Sequence, residues 1–452
     1  MLIRLILKNI YSFKEETEFN LFPNKSQRLS HHKLNRNGID FLRMSAIYGA
    51  NGSGKSNMIK AVAKLEQFVS DGKVAETIDD MRFKLSKPNK SQPISIGVEF
   101  LANEKFYYYS LTFDTGVILN EYLAESKKDQ DVLILERSNI DGTQSINFHE
   151  GYTDDPKNKL FLEILGEKLL QRDELLLSFL YEKYKDEHQD VSAAYDWFDK
   201  TLVVISPDSI PGALPHILDK HNGLMEFANG FLPTLNTGIN KLNVKKESLD
   251  DFVKGKQSKG IKDLIDNHRK NPNAISILSH NETGEELAVA NDNGDISVKR
   301  LTASHLDDEG EAVEFGISME SDGTKRLIEY IPAINSIINH ERVYLIDEIE
   351  RSIHPKTIKE IISKISLDEN AKGQLIFTTH ESCLLDQDIL RPDEIWFAQK
   401  SLDGASKLYP LSDFNIHHTA NIENGYLNGR FGGIPFLSNL QDLNWHKYAV
   451  SE

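Results

Sequence analysis

One run of residues carries the clearest chemistry in the chain. Gly49-Ala50-Asn51-Gly52-Ser53-Gly54-Lys55-Ser56 satisfies the P-loop pattern G-x-x-x-x-G-K-[ST] at every fixed position. The apolar-rich stretch before it, ending Ala46-Ile47-Tyr48, reads as a strand. After it, Met58, Ile59, Val62, Leu65 and Phe68 share one helical face, with Gly72 as a stop. Strand, glycine loop and helix together make a phosphate cradle. Backbone N–H groups close around the anion, and the helix N-terminus adds a favourable dipole. Gly49, Asn51, Gly52, Ser53, Gly54, Lys55, Ser56 and Asn57 are therefore the expected ATP contacts. Lys55 should reach the β- and γ-phosphates, and the Ser56 hydroxyl should ligate Mg²⁺.

A second constellation lies far downstream. Val343-Tyr344-Leu345-Ile346-Asp347-Glu348 is an apolar strand ending in two carboxylates. Asp347 suits Mg²⁺ and Glu348 suits an attacking water, the arrangement a Walker B strand uses. Gln374-Leu375-Ile376-Phe377-Thr378-Thr379-His380 is another apolar run, closed by a histidine. Between insertion and carboxylates, Ser321-Asp322-Gly323-Thr324 precedes a helix with Leu327, Ile328, Ile331, Ile334 and Ile338 on one face. Its hydroxyls and N–H groups suit an anion; the alternative is a plain helix cap by Ser321 or Asp322.

Positioning these groups calls for an α/β fold. Residues 1–125 read as the first half of a nucleotide-binding head with an antiparallel β sub-sheet, and residues 291–452 as the second half. Residues 126–290 read as a mainly helical insertion, with an apolar strand-like piece at Leu202-Val203-Val204-Ile205. Glu286 to Ala290 and Ile296 to Val298 read as a hairpin turning at Asn293-Gly294. The lysine-rich stretch 241–270 is interrupted by aspartates and reads as a solvated face.

Composition narrows the class. At 452 residues with 39% apolar content, the chain can build a substantial core. A formal net charge of −17 argues against whole-surface attraction to DNA or anionic membrane. No apolar run approaches a membrane span. The single cysteine, Cys383, excludes an intrachain disulfide, suits a reducing cytoplasm, and reads as a buried inert thiol.

Taken together, Asn-Gly-Ser-Gly-Lys-Ser, Glu-Ser-Asp-Gly-Thr-Lys-Arg, Ile-Asp-Glu-Ile-Glu-Arg-Ser-Ile-His-Pro and Thr-Thr-His resemble the SMC/Rad50-like branch of ABC ATPases. Within it the chain is similar to bacterial AAA-family ATPases of the RloA/AbiL kind, which include the ATPase subunit of PARIS anti-phage systems. Its ending, residues 425–435, is similar to theirs. The resemblance implies ATP hydrolysis with Mg²⁺ and a head-to-tail homodimer, with higher oligomers open. Ser321, Gly323 and Thr324 would be the signature that meets the other head's nucleotide, although Leu-Ser-Gly-Gly-Gln is not kept. His380 would be the switch histidine, and Ser352 to Pro355 the D-loop. No Q-loop glutamine is evident near Phe83 and Lys84.

The resemblance further implies a cytoplasmic defence ATPase that controls a separate effector, a TOPRIM- or HNH-type nuclease, in answer to a phage-encoded trigger. The insertion and the tail are the surfaces expected to hold that partner. A RecF/Rad50-like DNA-repair ATPase is the alternative; the acidic balance and the lack of a long heptad run speak against it. A self-contained nuclease is weaker still, since His221-Asn222 and His280-Asn281-Glu282 lack a completing metal cluster.

Overall fold

Five short apolar runs become parallel strands because both of their faces are covered. A computed structural model describes residues 1–434 apart from 141, 253–267, 269, 272–273, 280–285, 293–294 and 415–419. Strands are numbered in chain order. The first ten are β1 Leu2–Lys8, β2 Thr17–Asn20, β3 Lys33–Arg36, β4 Ile39–Leu42, β5 Met44–Tyr48, β6 Ile94–Ala102, β7 Lys105–Asp114, β8 Val117–Glu125, β9 Val132–Ile140 and β10 Thr143–Phe148. The others are β11 Leu202–Ile205, β12 Lys241–Ser248, β13 Ile275–Ser279, β14 Glu286–Asp292, β15 Asp295–Leu306, β16 Ala312–Gly316, β17 Val343–Ile346, β18 Gln374–Thr378, β19 Ile395–Lys400 and β20 Ser406–Pro410.

The central sheet has the order β11-β17-β18-β5-β19-β20, parallel except for β20. Strand β18 lies between the P-loop strand β5 and the carboxylate strand β17. The C-terminal ends of the parallel strands therefore share one edge, where open α/β sheets bind ligands.

Successive residues of these strands point to opposite faces. Ile47, Leu345, Ile376 and Trp396 enter one core with the helix Lys55–Asp71 and the sheet β10-β9-β8-β7-β6-β1-β2. Ala46, Tyr48, Tyr344, Ile346, Leu375 and Phe377 enter the other, with the helices Asp322–Asn339 and Pro355–Leu367.

Residues 126–290 hold the helices Pro156–Ile164, Leu176–Tyr184, Gln189–Asp196, Leu214–Lys220 and Asn222–Phe231. They also give strands to three sheets: β9 and β10 to the antiparallel sheet, β11 to the central sheet, and β12 to β14 to a third sheet of order β12-β15-β14-β13. The expected insertion is thus interwoven with the head. The leucine-rich run 160–180 is interrupted between Leu169 and Leu176. There Arg137 donates to the carbonyls of Gln171 (2.7 Å) and Glu174, while the buried Glu121 accepts from Leu176 N (2.7 Å) and Leu177 N (2.9 Å). A buried carboxylate thereby caps the second helix.

One expectation changes. Cys383 is half-buried rather than buried, and its thiol is pushed up by desolvation and by Glu381. The tail packs in part on the head, since Phe431 stacks on Phe397 and the Tyr426 hydroxyl donates to Gly433 O at 3.2 Å, while Leu427, Asn428 and Arg430 stay exposed. Strands β14 and β15 pair as expected, but the Asn293-Gly294 turn lies outside the described residues. So do Pro435, His280-Asn281-Glu282, and Lys254, Lys256, Lys259 and Lys262. The described part of the third sheet holds a buried ion cluster. Lys299 Nζ lies 2.9 Å from Asp219 and 2.7 Å from Asp292, tying the helix Leu214–Lys220 to β14 and β15. No helix among the described residues is long and apolar enough to cross a membrane.

The central and antiparallel sheets are joined through Gln374, which is fully buried. Its Oε1 accepts from Leu2 N at 2.7 Å, and its Nε2 donates to Leu2 O and Leu42 O, each at 2.8 Å. Gln374→Ala leaves three buried backbone groups without these partners. An expected loss of about 2–5 kcal/mol follows from the desolvation cost of such groups, and chemical denaturation measures it; unchanged stability would refute the coupling.

Candidate nucleotide-binding site

The glycine loop is shaped by what lies behind it. Gly54 has φ 109°, and a Cβ there would collide with the hydroxyls of Ser406 and Ser12. Ser406 Oγ donates to Ser53 O at 2.6 Å, and Ser406 N donates to Ser12 O at 2.7 Å. Asn57 Nδ2 donates to Ser12 Oγ at 2.9 Å. The loop is thus clamped by the connection after β1 and by the start of β20. Asn51 and Gly52 stand exposed at its crest. The helix Lys55–Asp71 begins with no side-chain cap, so its first-turn N–H groups are open to an anion. Ser53 Oγ, buried in the loop, has no partner.

Lys55 lies folded against its own loop. Its Nζ donates to Gly49 O at 2.7 Å and lies 3.1 Å from His380 Nε2. Burial lowers its pKa to about 8, opposed by Glu350, Asp347 and Glu348. His380 is likewise lowered, first by burial and then by the Lys55 charge. A lysine ammonium only donates, so a hydrogen bond from it to Nε2 uses that nitrogen as the acceptor.

Ser56 and Asp347 converge. Ser56 Oγ donates to Asp347 Oδ1 at 3.1 Å, and Thr378 Oγ1 donates to the same oxygen at 2.5 Å. Thr378 Oγ1 also accepts Glu348 N–H at 2.8 Å. Glu348 holds a left-handed backbone, φ 51°, uncommon for a residue with a side chain and frequent at functional sites. The Ser56 hydroxyl and Asp347 carboxylate are hard oxygen donors of the type that suits Mg²⁺, whose shell is usually completed by phosphate and water.

Residues 321–324 begin the helix Asp322–Asn339. Ser321 Oγ accepts Thr324 N–H at 3.1 Å and pairs with Thr324 Oγ1 at 2.9 Å, capping the helix Asp322–Asn339. The helix-cap reading therefore applies to Ser321, while its exposed position leaves it free to meet an anion. Gly323 is pressed against the loop after β17: a Cβ there would lie 2.5 Å from Ser352 O. Among the described residues, no hydrogen bond joins 321–324 to the P-loop. His354 Nδ1 accepts Lys356 N–H at 3.2 Å and so caps the helix Pro355–Leu367.

Sequence reasoning missed Ser12, Ser406, Thr378 and Glu350. Only Thr378 carried a signal, as a polar residue closing an apolar strand. The serines have no spacing relation to the loop they clamp.

A family model described as "AAA domain, putative AbiEii toxin, Type IV TA system" matches residues 44–386. A relative called "Retron Vc95 probable ATPase", from Vibrio cholerae serotype O1 biovar El Tor, is 22% identical over 363 residues. That match takes in 75% of this chain and 66% of the relative, just under two thirds of its length. Among solved structures, the SMC head domain from Thermotoga maritima is similar with 15% identity, a TM-score of 0.39, and coverage of 90% of this chain and 98% of that one. An SMC head bound to the C-terminal winged-helix domain of ScpA has 13% identity, a TM-score of 0.44, and coverage of 90% and 97%.

Proposed function

The chain belongs to the AAA domain family described as putative AbiEii toxin, Type IV TA system, and from that premise we propose that it is an ATPase whose heads pair to control a separate effector. The observation that carries the reading is the meeting of Ser56, Asp347 and Thr378 beside the Lys55–His380 contact. Loop N–H groups and Lys55 would bind the phosphates. Ser56 and Asp347 would hold Mg²⁺, which when bound neutralises developing phosphate charge. Glu348 would orient the attacking water.

Pairing of heads is supported by the exposure of Ser321 and by the lack, among the described residues, of a hydrogen bond between 321–324 and their own P-loop. The exposed Ser321 and the helix N-terminus behind it suit a γ-phosphate held by a second copy. Head closure on ATP would hold or release an effector through its different affinity for the open and closed states. A multi-component defence role is supported by the RloA/AbiL resemblance, by the retron name of one relative and by the family description. A nuclease is the effector class we favour.

Lys55→Ala should abolish ATP binding. Glu348→Gln should retain binding and slow hydrolysis by roughly 10²–10⁴-fold, the contribution of a positioned acid or base. Nucleotide binding and phosphate release measure both, and wild-type turnover by Glu348→Gln would remove it from the chemistry.

Mixing Lys55→Ala with Ser321→Arg subunits, each inactive alone, should restore partial hydrolysis, because one intact composite site forms per mixed dimer. Verified mixed dimers without recovery would place both halves of the site in one chain.

In cells, the chain alone should be harmless and unprotective, and protection from phage should require the neighbouring gene. Undiminished protection after deletion of that gene would point to direct action on nucleic acid.

A further inference from the structure

A third carboxylate stands at the site, two residues beyond Glu348. Glu350 Oε1 accepts the backbone N–H of His380 at 2.6 Å. Its Oε2 is shielded from solvent and has no hydrogen-bond partner among the described residues. His380 itself is an exposed residue just past the end of β18, and its ring nitrogen lies 3.1 Å from Lys55 Nζ. The three residues thus form a chain from carboxylate to histidine backbone, and from histidine ring to P-loop lysine.

An exposed histidine changes rotamer on the ps–ns timescale, and which partner its ring can reach in a given rotamer depends on where its backbone is held. A hydrogen bond from the His380 amide to a side-chain oxygen at this reach holds the backbone in place. The turn after β17 presents this carboxylate. Glu348 takes its left-handed conformation, Ile349 N donates to Thr378 O at 3.1 Å, and Glu350 follows facing the end of β18.

We propose that Glu350 is a positioning residue, a latch that fixes the His380 backbone so that its ring stays on Lys55 where the γ-phosphate is to be received. This rests on the hydrolase reading above. The latch works through an acceptor oxygen at the right reach. Glutamine, which keeps a carbonyl oxygen there, can replace it; alanine and the shorter aspartate cannot.

The test compares Glu350→Ala, Glu350→Asp and Glu350→Gln with wild type in ATP turnover, and in backbone hydrogen exchange of His380 without nucleotide. Glu350→Ala and Glu350→Asp should lower kcat by about 10–100-fold, the range a small misplacement of a catalytic group reaches, with KM little changed. His380 exchange should accelerate in both. Glu350→Gln should rescue both readouts. Adding Glu350→Ala to His380→Ala should cost nothing further. If alanine prevents folding, the contrast between aspartate and glutamine decides.

Wild-type kcat and exchange in Glu350→Ala would overturn the latch, and so would a glutamine variant as impaired as alanine with the His380 amide still protected. Absence of turnover in the wild type would instead sink the hydrolase reading, and the exchange data would still decide whether the latch exists.

Discussion

One carboxylate oxygen gathers the site. Asp347 Oδ1 receives the hydroxyls of Ser56 and Thr378, so the P-loop helix, β17 and β18 are held at a single atom. The bond forms because β18 lies between β5 and β17, with all three parallel and in register. Thr378 then donates to the carboxylate on one side and accepts Glu348 N–H on the other. Its neutral hydroxyl serves two acidic neighbours at once, as a donor and an acceptor. Displacing β18 would therefore disturb both carboxylates together.

The edge that carries this site is rigid because the sheet behind it is buried on both faces. The antiparallel sheet and the helices of residues 156–201 cover one face, and the helices Asp322–Asn339 and Pro355–Leu367 cover the other. Close packing leaves little room for the strands to slide. Two polar groups inside these layers are paired across long separations in sequence. Gln374 joins β1 to the start of β18, and the buried His32 shares its Nδ1 with Glu394 at 2.8 Å. Such bonds add specificity, since a shifted layer would leave each partner buried and unmatched.

The helix Asp322–Asn339 couples two parts of the molecule that the nucleotide would bring together. Its N-terminus presents Ser321, and Gly323 rests on Ser352 O in the loop that follows the carboxylates. Only glycine allows that approach. The helix N-terminus and the loop that follows the carboxylates are therefore in direct contact.

The sequence by itself determined the P-loop, its strand and helix, and the paired carboxylates at the end of an apolar strand. These are local patterns: glycines at fixed offsets, apolar period, polar residues at a boundary. It also indicated an α/β head with an antiparallel sub-sheet. Tertiary structure alone decided which strand separates β5 from β17, that residues 126–290 are woven into three sheets, and that the tail packs on β19. It alone brought Ser12 and Ser406 to the glycine loop and Glu350 to His380. Periodicity encodes which face of an element is buried. It does not encode what covers that face, and a hydrogen bond between residues 353 positions apart, such as Ser406 to Ser53, leaves no spacing signal to read.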